Sequence, residues 1–285
     1  MNSIYRLSSN AFDRKEPNEN PRKVVWLSVE GTRTEIKYFR YLDDNKSKLG
    51  IDSAIIIEPL KKNDTKSDPL SVLNLLDEYV MLKDKSLIQQ IKGLSDLEDA
   101  VELENIRLYL ENENLVCEEV KCKIKNAINL AKYDVEYHKY LDRIGIDDDI
   151  FAIVIDTEGK DNESRNNIEE IIDNCKTKGY RCFLSNPCFE FFLLLHTYNP
   201  IEEYNENKDN FINNHKVSKA HTYVSKLLSD CNKHSKKITK KTFDEIYLPN
   251  IKCALKNSED WAHELDTVKD NVGTNMVSLF KLVGF

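Results

Sequence analysis

Apolar residues in this chain fall into short dense runs separated by longer stretches with helical spacing. Residues 1–22 are polar, carry Pro17 and Pro21 and show no apolar period, which predicts a flexible N-terminal arm. Lys23-Val24-Val25-Trp26-Leu27-Ser28-Val29 is nearly continuous and rich in β-branched side chains, the pattern of a strand covered on both faces in a parallel sheet, and it stops at Glu30-Gly31. Ile36, Phe39 and Leu42 then recur at helical spacing, with Thr32 or Thr34 to cap the start and Gly50 beyond the end. Ala54 to Ile57 predicts a second strand, and Leu70 to Ile91, preceded by Asp68-Pro69, a second helix.

From about Leu97 to Ile144 the chain is strongly charged, with apolar residues at Val120, Ile124, Ala127, Ile128, Ala131 and Val135. This spacing predicts a helical hairpin inserted into an α/β core, either a plain exposed elaboration or a lid or partner-docking arm. Phe151-Ala152-Ile153-Val154-Ile155 is the cleanest buried strand and also stops at an acid, in Asp156-Thr157-Glu158-Gly159. A helix containing Ile168, Ile171 and Ile172 follows, then a strand Arg181 to Ser185, then Asn186-Pro187 opening the very apolar helix CFEFFLLLH with Pro187 in its first turn. The region from about Tyr198 reads as helical with Lys-rich connections.

Strands alternating with helices predict an α/β fold, a mostly parallel sheet flanked by helices on both faces. The expected organisation is an arm over 1–22, a first part of the core over 23–94, and the inserted hairpin over 95–147. A second part of the core then covers 148–200, and a helical, Lys-rich C-terminal region over 201–285 completes it.

Composition adds limits. No stretch approaches the roughly 18 uninterrupted apolar residues of a spanning helix, and the first residues lack the apolar centre of a secretion signal, so a cytoplasmic protein away from membranes is expected. Seven cysteines without CxxC pairs suit reduced thiols, and no zinc site is expected. The net charge of -8 argues against a polyanionic partner, but its distribution changes that: residues 95–150 hold 15 acids against 7 bases, whereas residues 207–256 hold 11 lysines against 4 acids.

In open α/β sheets the functional crevice lies beyond the carboxyl ends of the strands, and Glu30, Asp156, Glu158, Ser185 and Asn186 all fall at such ends. Carboxylates gathered at one end of a sheet repel one another unless a cation neutralises them, and hard oxygen ligands suit Mg²⁺ or Mn²⁺. Glu35 and Glu190, each in the first turn of a helix, either complement the helix dipole or reach the same ion. Gly31, Thr34, Ser185 and Asn186 are expected behind these ligands, bonding phosphate or ligand oxygens, although Ser and Asn before proline also start ordinary helices. Arg33, Lys237, Lys240 and Lys241 either stabilise charge on a phosphate or simply face solvent. His196 is expected to be a core histidine rather than a general base.

The string Val29-Glu30-Gly31-Thr32-Arg33-Thr34-Glu35, then Ile155-Asp156-Thr157-Glu158, then Ser185-Asn186-Pro187-Cys188-Phe189-Glu190 with Leu193-Leu194-Leu195-His196, resembles the RloB family of bacterial defence loci, related to AbiLii-type abortive-infection proteins. Asn271-Val272-Gly273-Thr274-Asn275 with Leu279 and Leu282 is similar to the segment that closes those chains. The resemblance covers the core from about Val24 to the end and implies a Toprim-like fold. It implies that Glu30 serves in metal binding or acid/base chemistry, and that Asp156 and Glu158 stand where the family places an Asp-x-Asp metal pair. Here the pair is Asp-x-Glu, one methylene longer on one arm. The implied activity is a Mg²⁺- or Mn²⁺-dependent endonuclease of antiphage defence, with Glu30, Arg33 and Lys240 as catalytic residues, DNA or RNA as substrate and an ATPase as partner. A homo-oligomer is compatible with this reading. A topoisomerase would need a separate domain with a nucleophilic tyrosine, and a primase a zinc-binding region. The rival reading is a non-catalytic sensor or regulatory subunit whose pocket binds an ion or nucleotide.

Overall fold

The computed structural model describes residues 23–61, 68–94, 97, 100–145, 148–157, 162–232 and 237–285, with the backbone alone described at 162–166. The expected arm over 1–22 and the acid Glu158 lie outside the described residues. The run KVVWLSV forms β1 (Lys23–Val29), buried from Val24 onward, as a strand covered on both faces must be. Helix α1 (Thr34–Asp44) follows the Glu30-Gly31 turn and buries Ile36, Phe39 and Leu42. Neither threonine caps it. Arg33 occupies the N-cap without a side-chain bond, because Thr32 lies one residue too early and Thr34 is already in the helix.

Strand β2 (Ile55–Pro59) leads to α2 (Pro69–Lys83), which starts where the sequence places it: Asp68 accepts the Ser71 N–H at 2.9 Å and Pro69 takes the first turn. The spacing from Leu70 to Ile91 predicts one helix, yet two are present. Ser86 and Gln89 form a capping box that begins α3 (Leu87–Lys92), and apolar periodicity carries straight across such a break.

The segment expected as a hairpin holds three helices, α4 (Leu103–Glu111), α5 (Glu118–Leu130) and α6 (Val135–Ile144). Lys132, at a left-handed φ of 49°, turns the chain after α5, and Asp134 caps α6 by accepting the Tyr137 N–H at 2.9 Å. Ile91, Leu94, Leu97, Val101, Ile106 and Ile124 enclose a small separate core. Helix α6 brings Tyr137, Leu141 and Ile144 back to the main body.

Next come β3 (Ile150–Asp156), α7 (Asn162–Lys178), β4 (Arg181–Asn186) and α8 (Phe189–Leu194). Pro187 does not open the last helix: the Asn186–Pro187 bond is cis and the N-cap is the extended Cys188. Beyond these lie α9 (Ile201–Glu206), α10 (Lys208–Asn213), α11 (Tyr223–Asn232), α12 (Lys240–Thr242), a π-helical turn Phe243–Tyr247, α13 (Ile251–Ser258) and α14 (Leu265–Val268). The chain closes with β5 (Gly273–Thr274) and α15 (Met276–Leu282). The C-terminal region therefore contributes a strand as well as helices, one too short for any period to show in the sequence.

Among the described residues the sheet has the order β2-β1-β3-β4-β5, parallel except for β5, which runs antiparallel to β4. This is a Rossmann-like α/β fold with both faces covered. One face carries Val25, Leu27, Val29, Ala152, Val154 and Phe183 against α1, α8, α11, α13 and α15. The other carries Val24, Trp26, Ile153, Ile155, Cys182 and Leu184 against α2, α6 and α7. The Trp26 indole, fully buried, donates to Asp149 at 2.7 Å, and Lys83 pairs with the same carboxylate at 2.8 Å, which satisfies the polar end of a large apolar side chain.

Candidate functional site

The strand order reverses direction between β1 and β3: from β1 the chain moves to β2 on one side and later to β3 on the other. Such a switch point opens a crevice at the carboxyl ends of its two strands, because the following connections diverge to opposite sides. Those two ends carry Glu30 and Asp156. The Glu30 N–H donates to the Val154 carbonyl at 3.1 Å, continuing the ladder, and its carboxylate turns across the gap so that Oε2 accepts the Asp156 N–H at 2.9 Å. The two acids read from distant parts of the sequence are thus neighbours.

Asp156, 9% exposed, is the last residue of β3 and stands opposite Ser185 in the parallel ladder with β4. Side chains alternate along a strand, so Asp156 follows Ala152 and Val154, and Ser185 follows Phe183, onto the face covered by α1 and α8. That face receives the first turns of both helices. Glu35 in α1 is 8% exposed, and its carboxylate lies directly on Gly31: a Cβ built at that glycine would stand 1.8 Å from Glu35 Oε2. Glycine at 31 is therefore what lets Glu35 settle beside the Glu30 turn. Glu190, half-buried in the first turn of α8, lies near Tyr247, whose phenol burial pushes up to about 12, with a hydrogen bond from Asn232 opposing and the Glu190 charge adding.

The expected basic residues are all exposed. Arg33 is exposed at the start of α1 beside half-buried Thr34. Lys237, Lys240 and Lys241 are exposed where the chain enters the π-helical turn, and the ring contacts of that turn run from Phe243 to Tyr38 and Tyr41 of α1. These contacts seat the π-helical turn on α1.

Ser185 and Asn186 are held by the C-terminal segment, which the sequence reading did not assign to the site. Ser185 Oγ and Thr274 Oγ1, both in fully buried residues, are 3.0 Å apart, and Asn186 Nδ2 donates to the Val268 carbonyl at 2.9 Å. Asn275 grips the same strand twice, accepting the Leu184 N–H at 2.6 Å and donating to the Cys182 carbonyl at 3.0 Å. Gly273 makes this docking possible: a Cβ there would stand 2.0 Å from the Ala262 carbonyl oxygen, and Thr274 N–H donates to that oxygen at 2.8 Å. A glycine followed by Thr-Asn was the available signal. What it lacked was any indication of which strand it would meet.

His196 is a core residue, as expected. Its Nδ1 lies 3.1 Å from the Phe192 carbonyl and must donate there, so Nε2 accepts from the Tyr38 hydroxyl at 3.0 Å. Burial lowers its pKa to about 4, which keeps the ring neutral, and the same burial raises that of Tyr38.

Among the described residues no helix is long and apolar enough to cross a membrane, and no group of three or more His, Cys, Asp or Glu side chains stands ready to hold a metal ion. No curated protein and no solved structure matches the chain. Residues 25–283 match the family described as RloB-like protein, a span that takes in the sheet, the inserted helices, the paired strand-end acids and the Gly273-Thr274-Asn275 clamp. By this match over nearly its whole length, the chain belongs to the RloB-like family.

Proposed function

We propose that this protein is a divalent-metal-dependent endonuclease of bacterial antiphage defence, hydrolysing phosphodiester bonds in DNA or RNA from a Toprim-like arrangement of acids and working with an ATPase partner. The observation that carries the reading is the hydrogen bond from the Asp156 amide to the Glu30 carboxylate at the switch point of the sheet. Family membership supports the defence setting.

Carboxylate oxygen suits a small hard cation: Glu30 accepts the Asp156 amide and Glu35 rests on Gly31, so the described residues offer oxygen donors without thiolate or imidazole, although they do not by themselves form a three-carboxylate cluster. Glu158 follows two residues after Asp156 in the sequence and completes the expected acidic pair. When bound, Mg²⁺ or Mn²⁺ supplies positive charge that lowers the pKa of an attacking water and steadies the leaving oxygen. The chain's own contribution is orientation. The Asp156 amide fixes the Glu30 carboxylate, and Asp156 itself is set by the β3–β4 register, which Thr157 extends by donating to the Ser185 carbonyl at 3.0 Å. Groups held this way lose little freedom when substrate arrives, which is where a positioned site gains rate.

The test is direct. Purified protein, alone and with its ATPase partner, is incubated with plasmid DNA, single strands and tRNA in Mg²⁺ or Mn²⁺. Wild type is expected to cut at least one substrate, and Glu30→Gln and Asp156→Asn are each expected to abolish the cutting. Cutting that survives both substitutions contradicts the reading. Absence of cutting in every arm, with Mn²⁺ still bound, favours an ion-binding regulatory subunit instead.

A further inference from the structure

We infer that residues 215–222 form a cationic arm that holds the phosphodiester backbone of a nucleic acid beside the Glu30–Asp156 crevice; this inference rests on the nucleic-acid reading above. The segment HKVSKAHT folds back on itself as a tight turn. Lys216 and Thr222 pair in an antiparallel bridge, Val217 and Ser218 both donate to the His221 carbonyl at 3.0 and 3.2 Å, and Ser218 Oγ accepts from Ala220 and His221. The segment is therefore an ordered turn.

The charge of this turn has one sign. No acidic residue occurs between Asp209 and Asp230, while the stretch carries His215, Lys216, Lys219, His221 and Lys226. Lys226 is tied to Asp230 at 2.5 Å, and an acid at the foot of the arm, Glu203, is engaged by the Tyr223 hydroxyl and by Asn207. Lys216 and Lys219 are exposed and, among the described residues, in no ion pair. Between them Val217 is 44% exposed, an apolar side chain able to rest on sugar or base edges next to the phosphates the lysines contact. Two exposed ammonium groups on a chain of net charge -8 mark a local field of opposite sign to the whole molecule.

The foot of the arm is fixed to the start of α8. Asn214, 9% exposed and at a left-handed φ of 37°, donates through Nδ2 to Cys188 Sγ at 3.4 Å and accepts the Val224 N–H through Oδ1 at 3.0 Å. One end of that clamp is Cys188, directly after Asn186-Pro187 and two residues before Glu190; the other is the first turn of α11, which packs along α8. An asparagine tolerates this backbone conformation better than most residues, and here its side chain joins both feet of the arm to the start of α8. The arm thus joins α10 to α11 and is anchored at its foot to Cys188, the N-cap of α8, whose first turn carries Glu190; the phosphate gripped at its tip is assigned to the strand that enters the crevice.

The experiment measures binding without catalysis. Fluorescence anisotropy of a labelled DNA duplex and of the matching RNA is recorded in EDTA across a series of salt concentrations, with full-length wild type and the variant Lys216→Ser/Lys219→Ser. Both positions are exposed, so an unchanged circular dichroism spectrum is expected. Each phosphate-contacting lysine contributes about 0.9 to the slope of log K against log salt on a duplex, so the variant should bind about tenfold or more weakly, with a slope shallower by about 2. Wild-type binding with the same slope in the variant overturns the arm and leaves the nucleic-acid reading standing. Failure of wild type to bind either probe removes that reading, and the arm with it.

Discussion

Replacing Asn275 by alanine should loosen the molecule out of proportion to the size of the change. Asn275 is 4% exposed, and its amide satisfies two backbone groups inside β4, the Leu184 N–H and the Cys182 carbonyl. Alanine leaves both buried and unpaired, at about 1–3 kcal/mol each, so the expected loss is about 2–6 kcal/mol. Asn275→Asp keeps an acceptor for Leu184 but loses the donor to Cys182, and should fall between alanine and wild type. Asn271→Ala, which removes an exposed bond to the Thr267 carbonyl, is the control and should cost about 0.5 kcal/mol or less. Urea unfolding followed by far-ultraviolet circular dichroism reads the change as a lower midpoint at constant slope. If Asn275→Ala unfolds at the same urea concentration as Asn271→Ala, the C-terminal segment does not hold β4, and the argument that it fixes the end of the strand beside Asp156 fails.

Gly31→Ala places a Cβ where the Glu35 carboxylate lies, 1.8 Å from Oε2; because that is the end of a flexible side chain, the fold should lose only about 1 kcal/mol or less while Glu35 is displaced. Mn²⁺ affinity by titration calorimetry should then fall about tenfold, equivalent to about 1.4 kcal/mol, and an unchanged affinity would remove Glu35 from the ion's surroundings. His196, held by burial at a pKa of about 4 against about 6.5 in an unfolded chain, binds its proton more weakly when folded. Its effect on stability is therefore absent above about pH 6.5, and stability is lost as the pH falls toward 4. Between about pH 7.5 and about pH 5 wild type should lose about 2 kcal/mol relative to His196→Phe, and parallel stability curves for the two proteins would show that the ring is not neutral in the fold.

Strands were the most legible part of the chain. KVVWLSV, FAIVID and RCFLS combine apolar runs with acids or polar residues at their ends, because a strand buried on both faces needs apolar side chains at every position and its termini must return to solvent. Helix boundaries were less so. The Ser86 capping box interrupts an apolar period that reads as one helix, and Lys132 turns the chain without glycine or proline to mark it. The neighbourhood of Glu30 and Asp156 followed from the rule that parallel strands of one sheet present their carboxyl ends together. Thr274 and Asn275 could not be placed from sequence: their partners lie in β4, about 90 residues earlier, and a two-residue antiparallel strand leaves no periodic trace. The lysines around 240 could not be placed from sequence, because clustering along the chain says nothing about which helix a segment meets; the turn they lead into packs on α1.

The most direct measurement is Mn²⁺ binding followed by the paramagnetic resonance of the free ion, on wild type, Glu30→Gln and Asp156→Asn, with folding of each confirmed by circular dichroism. The hydrogen bond from the Asp156 amide to the Glu30 carboxylate, which brings these two acids together at the switch point, predicts a site in wild type that is lost or severely weakened in both variants. Wild type that binds no Mn²⁺, or variants that both bind it as tightly as wild type, would contradict the account.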